Sequence, residues 1–205
     1  ELIELIAAML SADAVQRGRS LLAGKRGKRV GSALATFVDD PLRPAGLASS
    51  LFDGEGVLTR RKVPIDAGVV RDYFYDTPTA SKEGVESNGS AGRGSYKGVP
   101  SPGSSNFYLE PGTMTREALL EDTQDGILVL ELMGMHTADP VSGEFSVGLS
   151  GVEITGGKLG GAVRGAMVSG NLLDLLDRLD AVADDLVFHS TSASPTFRVR
   201  DLTVA

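Results

Sequence analysis

The period of apolar positions changes several times along this chain, and each change marks an element. From Glu1 to about Ala14, apolar residues at 2, 3, 5, 6, 9 and 10 share one broad helical face, and Ala7, Ala8, Ala12 and Ala14 favour the same conformation. The pattern predicts a buried helix. Gly18, Gly24, Gly27 and Gly31 interrupt it, and residues 32–38 read as a strand stopped by Asp39-Asp40-Pro41. Residues 58–65 and 69–75 are strand-like runs joined by Asp66-Ala67-Gly68, a hairpin with a three-residue loop. Thr77 is placed to cap a short helix through Lys82, with Pro78 in its first turn. From Glu83 to Gly103 the composition turns to Gly, Ser, Asn and Pro, which predicts a long, partly mobile loop.

In the second half, residues 106–109 form a short strand, and Thr115 caps a helix through about Asp122 with Glu117 in its first turn. Residues 127–133 and 145–154 are strands, and Thr155-Gly-Gly-Lys158 turns the chain into a third, weaker strand through Val168. Asn171 caps an amphipathic helix over 172–182 with its leucines on one face, and residues 186–188 and 197–204 close the chain as strands. This order predicts an α+β fold, antiparallel β-hairpins and a meander with a few inserted helices, whose sheet can curve or approach a barrel. All 205 residues read as a single domain.

Composition narrows the function. A formal net charge of -7 argues against a nucleic-acid partner, and the one basic cluster, residues 25–29, is short and isolated. With no cysteine, disulfides and thiolate chemistry are excluded. No run approaches the roughly 18 apolar residues of a membrane span, so the expectation is a cytoplasmic protein with neither membrane nor nucleic acid as partner.

The chemical inventory is thin. His136, in a Gly/Pro loop, and His189 are the only histidines, and neither has a second ligand at metal-binding spacing. Asp39-Asp40, Asp53-Gly-Glu55 and Asp184-Asp185 sit at element ends, where capping and turn formation explain them better than a cation does. Ser101 and Asn106, in a serine-rich loop near Arg93, together with Ser142 are the candidates for hydrogen bonding an extended peptide. No cofactor is indicated and no serine-hydrolase elbow is present, since the glycine spacing around Ser150 is wrong.

Seven stretches in order carry a family resemblance: Phe52-Asp-Gly-Glu-Gly-Val57, Asp66-Ala-Gly-Val69, Ser87-Asn-Gly-Ser-Ala-Gly92, Asn106-Phe-Tyr-Leu-Glu-Pro-Gly112, Ser142-Gly-Glu-Phe-Ser146, Ser169-Gly-Asn-Leu-Leu173 and Leu202-Thr-Val204. Together they resemble the C-terminal part of the TldD/PmbA family, also TldD/TldE and historically "modulator of DNA gyrase". The resemblance implies a pair of related subunits that degrades unfolded or leader peptides. In the TldD subunit it implies a zinc site built on His-Glu-x-x-x-His about a dozen residues before an Arg-Gly, completed by a Cys near the C-terminus. Counted back from Arg17-Gly18, that motif falls on residues 3–8, where Ile3 and Ala8 replace the histidines and only Glu4 remains.

The implied role is therefore the non-metal PmbA/TldE type, a non-catalytic subunit that partners a TldD-type metallopeptidase in peptide proteolysis or maturation, as a homo- or heterodimer. The family's N-terminal domain is expected to be absent, the chain being a fragment or a short relative. Two alternatives stand beside this reading: a hydrolase with a non-zinc site around His136, and a gyrase-modulating protein acting through protein partners.

Overall fold

A computed structural model describes all 205 residues. The first apolar run folds as two helices, α1 (Leu2–Met9) and α2 (Ala12–Gln16), instead of the single helix predicted. The break has a tertiary cause. Phe74 donates its N–H to Leu10 O at 2.8 Å and accepts from Ala12 N at 3.0 Å, which draws Ser11 into extended backbone. Ile3, Ile6, Ala7 and Met9 still face the core.

The hairpin expected around residue 67 is present, joining β2 (Lys62–Asp66) to β3 (Val69–Val70) beside β1 (Phe37–Asp39). Its loop is two residues long, because Asp66 pairs with Val69. Ala67 (φ 46°) and Gly68 (φ 76°) both take positive φ, the type I′ geometry that matches strand twist. β1 begins later than predicted and includes Asp39, the residue read as a stop.

Helix α3 (Thr77–Glu83) is capped by Asp76 instead of Thr77: the Asp76 carboxylate accepts Thr79 N at 2.9 Å while the Thr79 hydroxyl accepts Asp76 N, a reciprocal capping box. Asp76→Ala is expected to lower stability by about 1–2 kcal/mol, read as a lower urea midpoint at unchanged slope. A shift of only a few tenths would show that the box does not hold the helix.

The 83–103 stretch is not one irregular loop. It contains β4 (Ala91–Gly92) paired with β5 (Ser101–Pro102), and buried Asn88 anchors its start. The Asn88 amide accepts Tyr75 N at 3.0 Å and donates to Tyr73 O at 2.7 Å. Strand β6 (Phe107–Leu109) and helix α4 (Arg116–Asp122), capped by Thr115, follow as expected.

The meander consists of β7 (Asp125–Met133), β8 (Glu144–Thr155) and β9 (Lys158–Asn171), with a short 3₁₀ turn at Met135–Thr137 between the first two. In β8, Phe145, Val147 and Leu149 point into the core while the residues between them are less buried, the period of a one-sided sheet. Helix α5 (Leu172–Asp177) stops five residues short of the predicted end, and β10 (Leu179–Val182) takes over. There Leu179, Ala181 and Val182 are buried by pairing with β12 (Phe197–Val199), an interaction across the chain that helical periodicity does not reveal. No strand forms at 186–188. Strands β11 (Ser192–Ala193) and β13 (Thr203–Val204) complete the set.

A five-stranded sheet in the order β11-β6-β1-β2-β3 and a four-stranded sheet in the order β13-β9-β8-β7 carry the fold, with two small hairpin sheets beside them. The named strands pair antiparallel except β11 with β6, so the α+β class is as predicted; no sheet closes into a barrel. One core of 29 buried residues joins α1, α5, the five-stranded sheet and the inner face of β8. At its centre Phe107 stacks on Phe37 with centroids 5.7 Å apart and meets the edge of Phe74 at 5.9 Å.

Candidate functional site

The three motif positions all lie on α1 but do not converge. Ile3 is buried, and Glu4 and Ala8 are exposed. A small void beside Ile3 is lined by nine side chains, all apolar, Ile6, Phe37, Leu109 and Phe197 among them. Zinc needs three protein ligands, and this surrounding supplies hydrocarbon where donors would stand. The residues present do not fit the metal. No three His, Asp or Glu side chains gather elsewhere in an arrangement able to hold one.

Beside this void opens a cleft of about 1110 Å³. Its walls are β7 along residues 125–132, the inner face of β8 at Phe145, Val147 and Leu149, α4, the start of α1 and the C-terminal segment 194–202. Because β7 is the outermost strand of its sheet, its outer backbone groups have no strand partner. Leu130 is 64% exposed, and Val129 and Met133 are also open to solvent. The signal for this wall is in the sequence, where Ile127-Leu-Val-Leu130 is apolar without alternation although only one face of the sheet has a core behind it. The remaining lining comes from residues scattered between 1 and 204, which no local pattern connects.

At one end of the cleft Arg198 grips Asp180 with two parallel hydrogen bonds of 3.0 Å and reaches Asp122 at 3.0 Å, and Arg200 also bonds Asp180. Burial opposes the ionisation of Asp180, but the hydrogen bonds and charges of Arg198 and Arg200 outweigh it and hold the carboxyl below its usual range. Asp185 behaves alike: burial is outweighed by the Thr196 hydroxyl and N–H, both 2.7 Å away, with Arg116 adding its charge. A carboxyl whose folded pKa is depressed contributes stability that is fully present above the unfolded value, near 4, and is lost as pH falls through the folded one. The unfolding midpoint is therefore expected to drop on acidification below about pH 4. Arg198→Gln should flatten that drop; an identical acid slope in the variant would refute the assignment.

The four peptide-binding candidates do not form a site together. Arg93 and Ser101 are near one another on the β4–β5 hairpin, both exposed, with the Arg93 guanidinium donating to Gly54 O and Gly98 O at 2.9 Å each. Asn106 is fully buried. Its amide donates to Asp40 O at 2.8 Å and Ser49 Oγ at 3.0 Å and accepts Ala48 N, so it braces the 40–50 loop. Ser142 lies in the turn before β8, where its hydroxyl donates to Asp139 and accepts Glu144 N. None of the four lines the cleft. His136 is exposed in the 3₁₀ turn and His189 is exposed after Phe188, which stacks under the Arg43 guanidinium at 4.1 Å. Of the carboxylate pairs, Asp53 and Glu55 serve turns and caps, Asp53 accepting three backbone N–H groups and Glu55 holding Thr77, and Asp40 closes a turn on Leu42 N. Asp39 and Asp185 do not: Asp39 lies within β1 in a buried ion pair with Lys62, and Asp185 holds the distant Thr196.

Comparison with known proteins places this geometry. The family model for the PmbA/TldA metallopeptidase C-terminal domain matches residues 1–205. A metalloprotease of Methanocaldococcus jannaschii is 34% identical over 177 residues, 85% of this chain and 38% of that protein. The structure of a candidate modulator of a DNA gyrase from Thermotoga maritima superposes with a TM-score of 0.91 at 36% identity, covering 100% of this chain and 46% of that one. TldE from Thermococcus kodakarensis superposes with a TM-score of 0.90 at 27% identity, over 98% of this chain and 46% of that one. The chain spans less than half the length of each. With a family model matched from end to end, the chain belongs to the PmbA/TldA metallopeptidase C-terminal domain family.

Proposed function

We propose that this domain is the non-catalytic, PmbA/TldE-like side of a two-subunit peptidase: it partners a TldD-type metallopeptidase in peptide proteolysis or maturation and forms part of the wall of its peptide chamber. The observation that carries the reading is the hydrocarbon setting of Ile3, with Glu4 as the one motif side chain able to donate to a metal. The cleft beside it supplies a surface long and open enough for an extended chain. In the dimer, substrate would be held here and cut by groups of the other subunit. His136 and His189 are both exposed and belong to no group of three His, Asp or Glu side chains that could hold a metal, so the hydrolase alternative gains no support from them.

The test is tagged co-purification of this protein from its own cells, followed by a peptidase assay of the recovered complex and of this chain alone. Recovery of a TldD-type subunit, with activity only in the complex, is the expected result. Recovery of gyrase in its place would favour the gyrase-modulating alternative, and activity from this chain alone would refute the reading.

A further inference from the structure

Between Asp13 and Asp39 the chain holds no carboxylate side chain but six cations, Arg17, Arg19, Lys25, Arg26, Lys28 and Arg29. The structure gathers them. Residues 15–28 coil through successive tight turns, closed by Gly18 N on Val15 O at 3.1 Å, Ala23 N on Ser20 O at 3.0 Å, Lys25 N on Leu22 O at 3.1 Å and Lys28 N on Lys25 O at 2.8 Å. Gly24 (φ 68°) and Gly27 (φ 78°), on either side of Lys25-Arg26, take the left-handed conformation these turns need. The coil is also pinned to the body of the domain. Ser20 and Leu22 are buried, the Ser20 hydroxyl donates to Met9 O at 2.6 Å and the Tyr73 hydroxyl to Leu22 O at 2.7 Å, while Gly27 N and Val30 N donate to Val70 O and Gly68 O at 2.7 Å each. The charges therefore stand on a fixed surface, not on a floppy arm.

Only two of the six meet an acid, Arg17 with Asp13 at 2.8 Å and Arg26 with Asp72 at 3.0 Å, in exposed pairs that solvent weakens. Arg29 spends its guanidinium on Gly31 O and Ala67 O, 3.1 Å each. Arg19, Lys25 and Lys28 have no carboxylate within 4 Å. Like charges held this close repel one another, and the acids that bring the chain to a formal charge of -7 lie elsewhere in the sequence. We infer that this surface docks an acidic polypeptide segment of a partner protein, whose Asp and Glu carboxylates take the free donors of Arg19, Lys25 and Lys28. Arg19 can grip a carboxylate with two parallel bonds, and the two lysines act as point charges beside it.

The surroundings choose polypeptide among the polyanions. No Phe, Tyr or Trp lies between residues 17 and 31 for a base to stack on, and the net negative charge of the chain opposes a long track of phosphates. None of the apolar side chains in the coil is exposed, Leu22 and Val30 being buried, so nothing is offered for insertion into lipid. None of the six cations lines the cleft, and the inference does not rest on the subunit reading.

The experiment measures fluorescence anisotropy of a labelled eight-residue peptide of alternating Glu and Ser on the full chain, beside its counterpart of alternating Gln and Ser. The Glu peptide is expected to bind at least about tenfold more tightly at low salt, the advantage shrinking as salt rises. The triple variant Arg19→Gln, Lys25→Gln, Lys28→Gln should remove that advantage. A second triple variant, Arg60→Gln, Lys158→Gln, Arg164→Gln, changes the net charge equally at exposed positions outside the coil and should leave it in place. Equal binding of the two peptides, or equal losses in the two triple variants, would overturn the inference. So would displacement of the Glu peptide by short duplex DNA or by phosphatidylserine vesicles at a lower concentration of charge than by unlabelled Glu peptide, which would assign the surface to nucleic acid or to lipid.

Discussion

Replacing Lys62 by Met is expected to cost the fold about 3–5 kcal/mol at neutral pH. Lys62 Nζ lies 3.1 Å from Asp39 Oδ2, with the side chains 5% and 1% exposed. The other Asp39 oxygen accepts Ser105 N at 2.6 Å and the Ser105 hydroxyl at 2.9 Å, which leaves the ammonium as the one partner of Oδ2. Burial pushes the Asp39 carboxyl above its usual range even though Lys62 and Ser105 oppose the rise. Without the ammonium, the carboxylate stays buried and uncompensated at neutral pH, or takes a proton.

The sign of the pH dependence follows. With the folded pKa raised, the penalty is fully present above it and vanishes as pH falls through the unfolded value near 4. Denaturant unfolding should therefore show a deficit in Lys62→Met that is largest at neutral pH and shrinks toward pH 4. Adding Asp39→Asn, which keeps an acceptor for Ser105 and removes the charge, should recover most of it. A deficit independent of pH, or a double variant no better than the single, would contradict the ion-pair account.

Phe107→Ala is expected to be as damaging, about 3–5 kcal/mol. Phe107 is fully buried between Phe37 and Phe74 and sits on β6, which pairs with β1 on one side and β11 on the other. The truncation removes two aromatic contacts and leaves a void where α1 and the sheet meet. Phe107→Leu, which keeps most of the volume, should lose less than half as much. Urea midpoints of the two variants measure this, and equal losses would show that the site collapses freely.

Local pattern revealed whatever local forces decide. The hairpin at Ala67-Gly68, the Thr115 and Asn171 caps, and the Gly156-Gly157 turn between β8 and β9 each depend on residues within a few positions of one another. Pattern failed where distant chain decides the backbone. Ser11 leaves the helix because Phe74 pairs across it, and residues 179–182 are strand because β12 lies alongside. Asn88 and Asn106 read as loop polarity in the sequence; both are buried braces, since an amide can satisfy several backbone groups at once where chain segments cross.

The site shows the same division. The resemblance, counted from Arg17-Gly18, points to Ile3, Glu4 and Ala8 as the motif positions, but the apolar void beside Ile3 required α5, β10 and β12 to be placed around it. The cleft was not legible as a unit, since its walls come from both ends of the chain. The peptide-binding candidates were drawn from loop composition, and composition does not separate a serine that meets solvent from one that closes a turn, as Ser142 does.

The central claim is that this domain is the non-metal member of its family, and zinc content tests it most directly. The purified protein would be saturated with zinc, cleared of unbound ion and assayed for retained metal and for peptidase activity on its own. The account predicts no stoichiometric zinc and no activity without a partner subunit. One zinc per chain accompanied by peptide cleavage would contradict it.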